Sequence, residues 1–198
     1  MGTGTVEVLS AHDVAREIRR RVPLAGLVQV HKWLYYCQGW HLAWREHPLF
    51  LEDIQAWTNG PIVADLWRDE RYGPAPPPAA DLTTDAKATV ATVLDRYGHL
   101  TGVALIRLTH GEAPWRTASE SVWPNETITH AALRSFFGES PDTSETLARL
   151  RATKHALEYA ATEDGNVALK RLAERIAAGP REAPLDAGGL AAKLGIAG

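Results

Sequence analysis

The sequence has few of the features that mark secreted, membrane-spanning or nucleic-acid-binding proteins. Its single cysteine excludes a disulfide within the chain and gives no sign of an oxidising compartment. No apolar run approaches the roughly 18 residues of a membrane span. Residues 1–13 lack the basic and apolar regions of a secretory signal. We therefore expect a cytoplasmic protein without a membrane partner.

An excess of positive charge is also absent. The chain carries 21 basic and 24 acidic residues, for a formal net charge of −3. A protein that binds nucleic acid broadly needs a basic face to displace counterions from the phosphates. The cluster of basic residues at 16–21 is predicted to be the solvated face of a helix. Nucleic acid is therefore not an expected partner.

Apolar residues at helical spacing are abundant and predict a mainly α-helical domain. The predicted helices of this domain span 10–22, 26–46, 83–98 and 101–110, with another beginning near Thr129. Hydroxyl side chains are predicted to cap three of them at the N-terminus. These caps are Ser10, Thr83 or Thr84, and Thr101.

A small β element is predicted beside the helices. Residues 54–57 fit a short strand, and 121–129 fit a second one. Residues 58–73 are predicted to form a helix capped by Thr58 or Asn59, with Pro61 in its first turn and Gly73 at its end. Residues 111–118 are predicted to turn the chain. The expected fold class is thus mainly α with a two- or three-stranded β element.

The composition changes after residue 138, where tryptophan no longer occurs. Residues 139–178 are predicted to be a helical extension of the 10–138 domain, with helices at 144–161 and 166–178. Their apolar stripes are too narrow to form a core, so they must dock on the main domain, pair with each other or receive a partner. Residues 74–78 are a predicted stiff connector, and 179–198 a predicted flexible tail.

The segment HKWLYYCQGWHLAW, residues 31–44, concentrates the aromatic residues of the chain. It holds three of the seven tryptophans and the only cysteine. At about 100° per residue, its apolar side chains cover nearly every face of a helix. A helix that is apolar nearly all round is typical of the centre of a small domain.

A metal site or a nucleophile in this segment is the main alternative interpretation. Cys37 and His41 are one turn apart and are both zinc-ligand types, with His110 as a more distant candidate. No CxxC or HExxH motif accompanies them, and the helical neighbours of Cys37 are large and apolar. A buried cysteine is therefore favoured over a metal-dependent enzyme. We predict no cofactor, no metal and no catalytic residue.

Five blocks occur in a characteristic order: VHKWLYYCQGWHLAW, PLF, IQAWTNGPIVADLW, RYG and LTHGEAPWRTA. In this order they resemble the Panacea domain, also called SocA-like, over about residues 10–138. The resemblance implies a mainly α-helical domain with a small β element, and a scaffold role for the motif residues. Those residues are Lys32, Tyr35, Tyr36, Gln38, Gly39, Trp40, Trp57, Gly60, Pro61, His110, Pro114 and Trp115.

The resemblance also implies a function. Panacea-type proteins are antitoxins, encoded beside a toxin that they bind and neutralise directly, and they are not recognised as enzymes. One branch acts instead as a proteolytic adaptor that delivers the toxin to a cytoplasmic protease. The expected partner is therefore a cognate toxin from the adjacent gene, with a protease as the alternative.

Two regions are predicted to contact this partner. Part of the Trp57–Pro61 turn is predicted to be exposed, and the extension beyond residue 138 is a candidate specificity element because it lies outside the family resemblance. Its apolar stripes fit recognition of a helix in a groove. The predicted contact residues are Trp57, Asn59, Pro61, Leu147, Leu150, Leu157, Leu169, Leu172 and Ile176.

Overall fold

The structure is a computed structural model that describes residues 9–73 and 80–177. The predicted connector at 74–78 and the predicted tail at 179–198 lie outside these residues. The chain divides into two compact units, the first ending at Leu157 and the second beginning at Glu158.

The described part of the chain is mainly helical, with one two-stranded antiparallel sheet, as the sequence predicted. None of its helices is long and apolar enough to cross a membrane. The strands are β1, Ile54–Trp57, and β2, Gly60–Val63. The helices are α1 Ala11–Arg21, α2 Leu27–Arg45, α3 Ala64–Tyr72, α4 Thr84–Tyr97, α5 Gly102–Gly111, α6 Ala113–Ser119, α7 His130–Glu139, α8 Thr143–Ala160 and α9 Glu163–Ala177.

Helix α2 lies at the centre of the first unit, as its all-round apolar pattern predicted. Every residue from Val30 to Leu42 is buried. The indole N–H of Trp33 donates to the backbone carbonyl of Tyr97 (3.2 Å), and that of Trp40 donates to the Tyr97 hydroxyl (3.2 Å). These tryptophans therefore join α2 to α4 and satisfy their polar atoms inside the fold.

Helix α7 packs closely against α2 because position 39 has no side chain. A Cβ atom on Gly39 would lie only 2.1 Å from the ring of Phe137. The Phe137 ring meets Tyr35 and Trp40 edge-on, with ring centroids 5.7 and 5.0 Å apart. An aromatic ring from α7 thus occupies the space that Gly39 leaves open.

Three of the predicted helix caps are present. Ser10, Thr83 and Thr101 each accept a hydrogen bond from a backbone N–H in the first turn of the following helix. Thr129 caps α7 in the same way, at the predicted start of that helix. These interactions are local in sequence, so the sequence alone predicted them.

The prediction of a helix from residue 58 was wrong, because the chain first forms β2. Ile54 pairs with Val63 and Trp57 pairs with Gly60, so Pro61 lies in a strand rather than in a first helical turn. Thr58 and Asn59 form the hairpin turn and cap no helix. Helix α3 starts only at Ala64, and it ends at Gly73 as predicted.

Two predictions for residues 111–129 also need correction. The predicted turn at 111–118 contains the short helix α6, which begins after Glu112 and accommodates Pro114 in its first turn. The predicted strand at 121–129 is reduced to an isolated bridge between Gln55 and Thr127. Its two hydrogen bonds still hold this segment against β1, through Glu126 O and the N–H of Ile128.

The part of α8 within the first unit docks on α4. Leu150 is fully buried, and Arg149 lies 2.6 Å from the carboxylate of Asp95. Lys154 lies 2.8 Å from the carboxylate of Asp85. Of the open alternatives for the extension, docking on the main domain therefore holds for this part of α8.

Candidate partner-binding groove

An open groove of about 380 Å³ lies in the first unit, between the N-terminal half of α2 and the β-hairpin. Its apolar walls come from α2, β1, β2 and α3. The rings of Trp57 and Trp67 lie next to each other, with centroids 5.1 Å apart. The apolar residues of the lining are Leu27, Val28, Trp57, Ile62 and Trp67.

The polar lining of the groove centres on Lys32. Its side chain is fully buried, and its Nζ donates a hydrogen bond of 2.9 Å to the carbonyl of Pro61. An ammonium group has three donors, and Pro61 O is a neutral acceptor. Burial lowers the pKa of Lys32 to about 8. Among the described residues, no carboxylate forms an ion pair with it.

His31 stands beside Lys32 in the same lining. Its Nδ1 accepts the backbone N–H of Val63 (3.2 Å), which leaves the proton of a neutral ring on Nε2. Burial lowers the pKa of His31 to about 4, helped by the charges of Lys32 and Arg19. Nε2 is buried and has no hydrogen-bond partner in the described part of the chain. A second donor therefore lies at the groove without an acceptor.

Gly60 allows the hairpin to lie directly on Lys32. Its φ of 90° is in the left-handed region, where residues with a Cβ are strained. A Cβ at this position would also lie 2.7 Å from Lys32 Cε and 2.9 Å from Thr109 Oγ1. The backbone of Gly60 and Pro61 thus packs directly on the Lys32 side chain, and these three residues form the floor of the groove.

His110 and Trp115, both from the LTHGEAPWRTA block, support this hairpin from α5 and α6. The His110 ring stacks on Trp115, with centroids 3.9 Å apart and planes 13° apart. The indole N–H of Trp115 donates to the carbonyl of Trp57 (3.1 Å). Burial, together with the charge of Lys32, lowers the pKa of His110. The stacked pair therefore fixes the end of β1.

The other motif residues of α2 are used within the fold. The Gln38 amide donates to Phe50 O (2.8 Å), and its oxygen accepts the N–H of Leu49 (2.9 Å). The hydroxyls of Tyr35 and Tyr36 both donate to the Glu112 carboxylate, at 2.8 and 3.0 Å. These bonds connect α2 to the loop before β1 and to the start of α6.

Glu112 was not predicted as an important residue, although it belongs to the LTHGEAPWRTA block. Burial raises its pKa to about 7, against the opposing effect of the two tyrosine hydrogen bonds. Burial also raises the pKa of both tyrosines, with a further contribution from Glu112. The carboxyl therefore retains a proton further toward neutral pH than an ordinary glutamic acid.

The two candidate metal ligands of α2, Cys37 and His41, have different surroundings inside the fold. Cys37 is fully buried, and burial raises its pKa, which disfavours the reactive thiolate. His41 Nδ1 lies 2.9 Å from the Thr89 hydroxyl, and burial lowers the pKa of His41 to about 3. In the part of the chain that the structure describes, no three His, Cys, Asp or Glu residues are grouped so that they could hold a metal ion.

The residues predicted to contact a partner are distributed unevenly. Trp57 and Asn59 line the groove, whereas Pro61 and Leu150 are buried and offer no free surface. Leu147 and Leu157 are half-buried in the first unit. In the second unit, Leu169 and Leu172 are 51% and 49% exposed, and Ile176 lies in the same helix.

The fold and the groove define a mainly helical scaffold, built on one aromatic helix and a hairpin that covers a buried lysine. Residues 30–116 match the family described as antitoxin SocA-like, Panacea domain. This part of the chain is therefore similar to the Panacea domain, a family described as antitoxin-like. Comparison with curated proteins and with solved structures gives no match.

Proposed function

We propose that this protein is an antitoxin that neutralises a cognate toxin by direct protein–protein contact, with the toxin encoded by the adjacent gene. The match of residues 30–116 to an antitoxin domain family carries this proposal. The toxin would be met in the cytoplasm, and the protein would act by binding rather than as an enzyme. Neutralisation then requires an exposed recognition surface.

The distribution of side chains supports a binding role. Cys37 and His41, the residues of α2 that would suit catalysis, are buried, and His41 is hydrogen bonded inside the fold. The groove beside Trp57 is open, and the leucines of α9 are half-exposed. Tryptophans such as Trp57 are enriched among the residues that dominate the energetics of protein interfaces.

Co-expression with the adjacent open reading frame tests the proposal. The neighbour is expressed from one inducible promoter and this chain from another, and growth is followed after each induction. We expect growth arrest by the neighbour alone, rescue by this chain and co-purification of the two proteins. Absence of both rescue and co-purification would contradict direct neutralisation.

The toxin half-life separates direct neutralisation from the proteolytic-adaptor alternative. Translation is blocked in cells that express the tagged toxin with or without this protein, and toxin decay is followed by immunoblot. Direct neutralisation predicts rescue of growth with an unchanged half-life. A clearly shortened half-life, which a protease-deficient strain restores, would favour the adaptor instead.

A further inference from the structure

The groove floor contains more hydrogen-bond donors than acceptors. Lys32 has one described acceptor, the carbonyl of Pro61, and the Nε2–H of His31 has none. Both side chains are fully buried, so these donors have lost much of their contact with water. A buried polar group without a partner destabilises the protein, because it has lost its hydrogen bonds to water. A ligand that brings acceptor oxygens to this floor would offset part of that destabilisation.

The charge of the groove lining favours a negatively charged acceptor over a neutral one. No residue of its lining is acidic, and Lys32 is paired with a neutral carbonyl. Arg19 adds positive potential at His31. A carboxylate accepts from both donors and supplies the missing negative charge, whereas an amide supplies only a neutral oxygen.

The edge of the groove indicates that the carboxylate belongs to a protein segment. Leu27 and Val28 are 41% and 36% exposed at this edge. Val28 lies against Gly102, and the next residue, Val103, is 61% exposed on α5. Exposed apolar side chains at this edge can exclude water from a bound side chain, as the residues that surround an interface hot spot do.

We propose that this groove is the docking site for an aspartate or glutamate side chain of the toxin, carried on an apolar segment. Because neither donor side chain is exposed in the unbound protein, the groove lining must shift to admit the carboxylate. The carboxylate then accepts hydrogen bonds from Lys32 Nζ and His31 Nε2, and the neighbouring apolar side chains lie on Trp57, Leu27 and Val28. The identity of the partner as a toxin rests on the proposed function. The chemistry of the groove is tested without the toxin.

Two matched peptides provide that test. Ac-Leu-Asp-Leu-NH₂ and Ac-Leu-Asn-Leu-NH₂ are titrated to about 10 mM into ¹⁵N-labelled full-length protein, a range that detects dissociation constants near 1 mM. The indole N–H signals of Trp57 and Trp67 are assigned with Trp→Phe variants. We expect saturable shifts of these signals with the aspartyl peptide, and at least roughly tenfold weaker binding of the asparaginyl peptide. No shift, or equal binding of both peptides, would overturn the proposal.

Two variants locate the binding. Lys32→Met retains the apolar stem but removes the charge, and it is expected to abolish the preference for the aspartyl peptide. Asn59→Asp adds a carboxylate on the exposed hairpin turn without altering the core. It is expected to weaken binding of the aspartyl peptide about threefold or more. The matched control Ala131→Asp adds the same charge on α7, outside the groove lining, and should bind as the original protein does.

If Lys32→Met fails to fold, the comparison of Asn59→Asp with Ala131→Asp decides the matter. Equal affinity of these two variants for the aspartyl peptide would contradict docking in the groove. Growth rescue is measured separately with the adjacent gene product. Peptide binding without rescue would refute the antitoxin proposal while leaving the groove chemistry in place. Rescue without peptide binding would refute the groove and leave the antitoxin proposal in place.

Discussion

Two glycines set how closely the elements of the first unit approach one another. Gly39 admits the ring of Phe137 from α7, and Gly60 admits the side chain of Lys32 beneath the hairpin. The physical reason differs between them. Gly39 lies in a regular helix and is required by space alone, whereas Gly60 also has a φ of 90°. A substitution at position 39 therefore tests side-chain packing without the added effect of backbone strain.

Gly39→Ala is expected to destabilise the protein by about 1–3 kcal/mol, because a methyl group at this position overlaps the Phe137 ring. The measurement is the free energy of unfolding from urea titration. Gly138→Ala is the matched control, since its added Cβ would meet no atom within 4 Å outside its chain neighbours and the nearby helix backbone. The control should be neutral or stabilising by up to about 1 kcal/mol, as alanine favours a helix. Equal effects of the two substitutions would contradict the packing explanation.

Glu112 is expected to make stability depend on pH. Its pKa is raised from 4.5 to about 7 in the folded protein, so the folded state holds a proton that the unfolded state has already lost. Stability therefore falls as pH rises from about 4.5 to about 7, and it is constant above that range. Because each unit of pKa is worth about 1.4 kcal/mol and Glu112 is partly exposed, the loss should be below about 3 kcal/mol.

Glu112→Gln removes the titration and keeps an oxygen that can accept a tyrosine hydroxyl. Urea unfolding is measured for both proteins at several pH values between 5 and 8. The stability of the original protein relative to the variant should decrease across this range. The neutral histidines 31 and 41 act in the opposite direction, but they are common to both proteins and cancel. A pH-independent difference would show that Glu112 does not titrate as described.

At the scale of elements, the sequence predicted those parts of the fold that depend on local interactions. Ser10 and Thr101 identify helix starts because each hydroxyl bonds to an N–H three residues ahead. The Asn59–Pro61 stretch has the same local signals, yet β1 pairs with β2 and places Pro61 in a strand. That outcome depends on contacts with Lys32 and Trp115 far along the chain, which local patterns do not contain.

The groove could be predicted from the sequence only in part. Trp57 and Asn59 were expected in an exposed turn, and both line it. Lys32 was predicted only as a scaffold residue, although a lysine inside a helix that is apolar on every face must itself be buried. That pattern was the available signal for a polar centre in the core. Trp67 and Asn125 could not be assigned, because their approach depends on the tertiary path of α3 and the 121–129 segment.

Leu150→Ala tests whether α8 is an integral part of the first unit. Leu150 is fully buried, so we expect a loss of about 2–5 kcal/mol in the free energy of unfolding. Leu147→Ala is the matched control on the same helix, because Leu147 is only half-buried and should cost markedly less. A negligible effect at position 150 would mean that α8 does not dock on α4 in solution.

On the scale of the whole molecule, the two units offer different kinds of recognition surface. The first unit contains the groove, whose buried donors favour a specific polar anchor. The second unit contains α9, in which Val167, Leu169 and Leu172 are 44%, 51% and 49% exposed. None of the polar side chains whose burial is described in this helix is buried. Polar centres contribute to specificity, whereas exposed apolar stripes contribute area. Division of these roles between the units predicts that changes in α9 affect partner binding without affecting the stability of the first unit.

The double variant Leu169→Ser, Leu172→Ser tests α9 as a toxin-specificity element. Both side chains are about half-exposed, so their replacement should leave unfolding of the first unit unchanged while weakening toxin binding by at least roughly tenfold. Calorimetry with the adjacent gene product measures the affinity. The control Lys170→Ser, Glu174→Ser alters the same helix at exposed positions and preserves the net charge. Full affinity and full growth rescue by the leucine variant would exclude these two leucines from recognition and leave the groove as the contact to examine.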